Sequence, residues 1–132
     1  MSNVVVMRGD GVRVDFNRIV PIYIQIADAI EDDILAGRLS EGDKCYSQVV
    51  IAKELNINPA TAAKGIRLLV DRGVLDKVRG QAMIIRESAV DIIKNRRLEE
   101  TLNDMVDALV AEAVKLGMNR DELIERLKER WK

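Results

Sequence analysis

The run Ser47 to Gly80, SQVVIAKELNINPATAAKGIRLLVDRGVLDKVRG, constrains the fold of this 132-residue chain more than any other stretch. Ser47 can cap a helix whose buried side is supplied by Val50, Ile51 and Leu55. Asn56-Ile57-Asn58 then reads as a tight turn, because asparagine tolerates left-handed backbone and Ile57 can point inward between the two. Asn58 as cap and Pro59 at the first helical position make a strong start for another helix. On this helix, residues 59–72, Ala62, Ile66, Leu69 and Val70 share one arc, whereas Ala60, Ala63, Lys64 and Arg67 fall to one side of it. Gly73 stops the helix, and Val74–Val78 and Met83–Arg86 read as strands joined around Arg79-Gly80-Gln81. Two short helices across a tight turn, followed by a hairpin, make a helix-turn-helix with a wing.

The flanking segments fall into place around this run. Two valine-rich pieces, VVVM and VRVDF, are separated by Arg8-Gly9-Asp10-Gly11, which suggests an N-terminal arm or a loose strand pair over 1–20. Pro21 opens a helix whose Ile22, Ile26, Ile30 and Ile34 repeat every fourth residue, and Gly37 ends it. Gly42-Asp43 marks a turn. The winged unit is expected over 21–87. From Ser88 to 132 helical periodicity returns, and Leu98, Leu102, Met105, Val106, Leu109, Val110, Ala113 and Leu116 cover an arc wide enough for two packing partners. Gly117 closes that helix, and Asn119-Arg120-Asp121-Glu122 has the capping-box pattern that starts a last one. The expected fold class is mainly α with a small β-hairpin: a winged helix-turn-helix followed by a two-helix dimerisation segment.

Composition narrows function further. The chain has no histidine and a single cysteine, Cys45, so neither a Cys/His zinc site nor a Ser-His or Cys-His catalytic pair can be assembled. No metal or other cofactor is expected. Cys45 reads as a small core residue. The acidic pairs Asp32-Asp33, Glu99-Glu100 and Asp121-Glu122 are neighbours on helices, about 100° apart, and solvated faces explain them better than catalysis. Without a glycine-rich phosphate loop an enzyme reading has little support. No apolar run approaches the roughly 18 residues of a membrane span, so a cytoplasmic location is expected.

Net charge is −1, with 12 basic and 12 acidic residues before Ser88 and 9 and 10 after it, so any nucleic-acid signal must be local. The major groove admits one helix. Lys64 and Arg67 can reach base edges or phosphates there, while Ala60 and Ala63 can touch only thymine methyl groups. Ser47 and Thr61, near helix starts, can hold phosphates with Gln48 assisting, and Asn58, Pro59 and the wing residues Arg79, Gly80 and Gln81 complete the candidate surface. Each has a plainer reading: a solvated helix face for Lys64 and Arg67, simple caps for Ser47 and Thr61, an ordinary hairpin turn for the wing tip. A module in which the same arc docks a protein instead of DNA is the rival class.

PIYIQIADAIEDDILAGRLSEGDK, then SQVVIAKELNINPATAAKGIRLL, then Arg-Gly before a strand resembles the GntR family of bacterial transcription regulators over about Pro21 to Arg86. The short tail resembles the YtrA-like subfamily. The resemblance implies a homodimeric regulator, most often a repressor, bound to a double-stranded operator. It leaves room for an unidentified small-molecule effector where tail and winged domain meet, to which no particular residue points. The chain departs from the family pattern at Tyr46-Ser47-Gln48-Val49, where Pro-Ser-x-Arg is usual, and so lacks an arginine that would contact DNA. Ala82 stands where a second wing glycine is common, and Gly65-Ile66 replaces Ala-Tyr, changes expected to alter packing and not the fold.

Overall fold

The computed structural model describes residues 3–7, 11–78, 80 and 82–132. The chain forms two compact units, Met1–Ile93 and Lys94–Lys132.

The first unit is built on α1 (Ile22–Leu35), which starts directly after Pro21. Its i, i+4 isoleucines behave as the spacing requires: Ile26, Ile30 and Ile34 are buried and Ile22 packs against the same core. Each fully buried isoleucine contributes on the order of 1.5–3 kcal/mol. The two valine-rich pieces pair as an antiparallel hairpin, β1 (Val4–Val6) with β2 (Arg13–Asp15), Val5 opposite Val14. The expected turn residues Arg8-Gly9-Asp10 lie outside the described residues.

This hairpin is not a loose arm. Met7, Val12 and Val14 are buried in the helical core, and Gln25 of α1, only 3% exposed, ties β2 down. The Gln25 amide oxygen accepts from Asp15 N–H at 2.8 Å, and its nitrogen donates to the carbonyls of Asp15 at 3.0 Å and Val20 at 2.9 Å. Every polar atom of a buried amide is thereby satisfied, which is what lets a glutamine sit in a core.

Next come α2 (Gln48–Leu55) and α3 (Pro59–Asp71), with α3 packed on both α1 and α2. The buried side of α2 is Ile51, Ala52 and Leu55, and Val50 is exposed. The expectation for Val50 is therefore corrected. At 100° per residue Val50 lies about 100° to one side of Ile51, and Leu55 lies on the other side together with Ala52, so the core-facing arc takes the alanine.

The wing strands are shorter than the expected Val74–Val78 and Met83–Arg86, β3 (Leu75–Asp76) pairing with β4 (Ile84–Ile85). They gain an unforeseen third partner. The segment read only as a turn at Gly42-Asp43 runs along β4, with Gly42 N–H donating to Ile85 O at 2.8 Å, Ile85 N–H to Asp43 O at 2.9 Å and Cys45 N–H to Met83 O at 2.8 Å. A two-stranded hairpin alone is marginal in water, and this added edge closes the sheet against the helices.

Buried acids supply a second correction. Asp33 is buried, not solvated, because at 100° per residue it lies about 20° from the core-facing Ile26 on α1. It accepts from Arg38 Nε at 2.8 Å and from the Tyr46 hydroxyl at 3.3 Å. Glu31 is likewise buried, 3.4 Å from Arg72 Nη1, which also meets Asp28 at 2.8 Å. The other acidic pairs, Glu99-Glu100 and Asp121-Glu122, are exposed as expected.

Helix α4 (Ala89–Arg96) contributes Ala89 and Ile93 to the first core. In the second unit a π-helical turn, Arg97–Leu102, leads into α5 (Asn103–Lys115). Gly117 then ends α5 at φ 75°, with Gly117 N–H on Val114 O at 3.1 Å and Met118 N–H on Ala113 O at 3.0 Å. That pair of bonds needs a left-handed residue, which glycine adopts without strain. The expected capping box opens α6 (Arg120–Arg130): Glu122 N–H donates to Asn119 Oδ1 at 2.9 Å, and Asn119 N–H to Glu122 Oε1 at 3.3 Å.

Candidate nucleic-acid interface

Local chemistry sets the turn between α2 and α3. Ser47 Oγ accepts from Val50 N–H at 3.1 Å and caps α2. Asn56 adopts the left-handed conformation at φ 53° and ψ 54°, and Ile57 N–H donates to Ala52 O at 3.0 Å. Ile57 packs against the core, and Asn58 Oδ1 accepts from Ala60 N–H at 2.8 Å to start α3 behind Pro59. Each cap satisfies an amide that would otherwise have no helical partner.

On α3 the buried residues are Ala62, Gly65, Ile66 and Leu69. The opposite side carries Ala60, Lys64, Arg67 and Asp71, all exposed, at successive i+4, i+3 and i+4 steps and so in one stripe along the helix. Pro59 is also exposed, and Thr61 and Ala63 are half-buried at the margins. Ser47, Gln48 and Asn58 are exposed at the two helix starts. Gly80 is exposed at φ 75°, and the expected wing residues Arg79 and Gln81 lie outside the described residues.

Gly65 has a packing reason that the residue pattern alone does not supply. A Cβ there would sit 3.0 Å from Ile26 Cγ2 and 3.1 Å from the Tyr23 carbonyl oxygen, so its absence lets α3 lie directly on α1. The same close approach sets Lys64 Nζ 4.1 Å from the centroid of the Tyr23 ring, a cation–π contact that gives the ammonium a resting place on α1.

Asp71, Lys77 and the joint exposure of Val49 and Val50 on this face were not foreseen from the sequence. Asp71 ends the stripe and was available from the spacing, since it lies eleven residues beyond Ala60. Val49 and Val50, on the first turn of α2, are 67% and 44% exposed, so the arc next to the reading helix is apolar. Lys77, exposed just past β3, adds a cation to the base of the wing. Among the described residues no group of acidic, histidine or cysteine side chains could hold a metal ion, and no helix is long and apolar enough to cross a membrane.

In the second unit, Leu98, Leu102, Met105, Val106, Leu109, Val110 and Leu116 are all exposed, and Ala113 alone of the expected set is buried. Exposed apolar side chains recurring at helical spacing are the kind of surface that marks an interaction site.

No family model matches the chain. It is 32% identical over 110 residues to the HTH-type transcriptional regulator YhcF of Bacillus subtilis, a match covering 82% of this chain and 88% of that protein. The HTH-type transcriptional repressor YtrA of Bacillus subtilis is 26% identical over 118 residues, 89% of this chain and 90% of that one. Among solved structures, a GntR family transcriptional regulator from Listeria monocytogenes superposes with a TM-score of 0.73 at 26% identity, covering 88% of this chain and 100% of that one. The Gly-Asp-Lys turn and the Asn-Pro helix start sit on the winged unit, a short helical tail follows it in the chain, and the chain belongs to the GntR family of transcription regulators, among its YtrA-like members.

Proposed function

We propose that the protein is a homodimeric repressor, working in the cytoplasm, that binds a pseudo-palindromic operator with α3 of each subunit in the major groove. The observation that carries this reading is the exposed stripe Ala60, Lys64 and Arg67 on a helix capped at its start and held flat on α1 by Gly65. The N-terminal residues of a recognition helix meet base edges, and the preceding helix crosses the phosphate backbone. Ser47 and Gln48 then face phosphates from the start of α2, and Lys53, Lys64 and the wing's Lys77 and Arg79 add positive charge along the strands.

Repression is supported by the likeness to YtrA, a repressor similar to this chain along most of its length. Dimerisation is supported by the apolar face of the π-helical turn and α5, with Leu98, Leu102, Met105, Val106, Leu109 and Val110 the residues that would pack on a second copy. Two-fold symmetry of the protein then implies an inverted repeat in the DNA.

Sedimentation and gel retardation with DNA from upstream of its own gene test the proposal together. The wild-type protein should sediment as a dimer and retard that DNA in preference to random duplex. Leu102→Glu, which puts a charge into the middle of the apolar face, should yield monomers that retard it at least tenfold more weakly. A Leu102→Glu protein that remains a dimer with full affinity would remove the tail from the interface.

A further inference from the structure

We infer that the recognition surface reads thymine methyl groups, so that thymines in each operator half-site are selected by Ala60, Thr61 and Ala63; this rests on the DNA-binding reading above. The part of α3 that meets base edges is its first two turns, and there Pro59 and Ala60 are exposed, Thr61 and Ala63 are half-buried, and Lys64 is the one exposed residue with a long polar side chain.

Three of the polar groups beside them are engaged within the chain. Asn58 Oδ1 is taken by the Ala60 amide at 2.8 Å, Ser47 Oγ accepts from the Val50 amide at 3.1 Å, and Lys64 Nζ rests 4.1 Å from the Tyr23 ring centroid. Lysine is a point charge well suited to phosphate. What remains is largely methyl: the Cβ of exposed Ala60, with half-buried Ala63 and Thr61 beside it. Exposed Val49 and Val50 continue that character onto α2.

In the major groove thymine alone presents a methyl group, whereas cytosine presents an amino donor and guanine two acceptors. An apolar patch laid on a thymine methyl buries carbon against carbon. The same patch laid on a G·C pair strips water from polar atoms and returns no hydrogen bond, so discrimination comes as much from that penalty as from the contact. Arg67, seven residues beyond Ala60, lies outside the patch.

Operators recovered by the full-length protein from a randomised duplex library provide the probe. Each thymine of the recovered half-site is replaced in turn by deoxyuridine, which removes only the C5 methyl. At least one half-site position should lose about fourfold in affinity, the worth of one buried methyl. In Ala60→Ser or Ala63→Ser, which put a hydroxyl in place of the contacting surface, the loss at one of these positions should vanish. Half-sites without thymine, or thymines that tolerate uracil with no change in affinity, overturn the methyl reading and leave DNA binding standing. A library from which no sequence is enriched overturns both.

Discussion

Gly65 and Ile26 lie so close across the α1–α3 contact that a Cβ on Gly65 would come within 3.0 Å of Ile26 Cγ2. Glycine in the middle of a helix costs about 1 kcal/mol relative to alanine, so at an ordinary position Gly65→Ala would stabilise. Here the Tyr23 carbonyl oxygen stands 3.1 Å away, and backbone cannot swing aside as a side chain can. Overpacking of this kind costs about 1–3 kcal/mol. Gly65→Ala should therefore lower the stability measured by urea unfolding by roughly 1 kcal/mol and weaken DNA binding through the displaced α3. A more stable variant would show that the two helices are free to separate.

The start of α3 depends on one side chain. Asn58 Oδ1 holds the Ala60 amide at 2.8 Å, and Pro59 behind it has no amide to offer. Asn58→Ala should cost about 1 kcal/mol, whereas Asn58→Gly, which leaves water free to reach the amide, should cost only a few tenths. Thermal or urea unfolding of the two variants distinguishes them, and equal losses would assign Asn58 a role other than capping.

Alkaline pH should expose the burial of Cys45. Burial pushes its thiol up from 9.0 to about 12, with the charge of Asp33 adding and a hydrogen bond from the Tyr46 backbone opposing. Burial and then Asp33 also raise the Tyr46 phenol above its ordinary value. A thiol that ionises near 9 unfolded and near 12 folded contributes stability that is complete below pH 9 and is lost as pH rises from 9 toward 12. Each proton so linked steepens the fall by about 1.4 kcal/mol per pH unit. Cys45→Ala should flatten the decline without abolishing it, because Tyr46 remains. An unchanged slope between pH 9 and 11 would mean that the thiol ionises in the folded state.

Much of this architecture could be read from residues acting on their own backbone. Ser47, Asn56, Asn58 and the Asn119–Glu122 box specify helix ends through short-range hydrogen bonds, and Gly117 ends α5 through its φ of 75°. The isoleucine repeat of α1 specifies its buried side by periodicity alone. What escaped reading depends on partners distant in sequence. Gly42 to Cys45 has no strand pattern and becomes a strand edge only because β4 lies beside it. Asp33 is polar yet buried because Arg38 and Tyr46 converge on it, and the valine hairpin joins the core because Gln25 ties it there. On the candidate interface, the stripe was legible as a helical arc, whereas the Tyr23 seat of Lys64 follows from the α1–α3 approach that Gly65 permits.

Salt dependence of binding to DNA from upstream of the protein's own gene tests the central claim most directly. With Lys53, Lys64, Arg67, Lys77 and Arg79 of both subunits displacing counterions, a logarithmic plot of affinity against salt should fall with a slope of about −9. At fixed salt the same DNA should be bound at least a hundredfold more tightly than random duplex of equal length, within the usual range for specific recognition. A slope near zero, or equal affinity for the two duplexes, would contradict the assignment of α3 as an operator-reading helix.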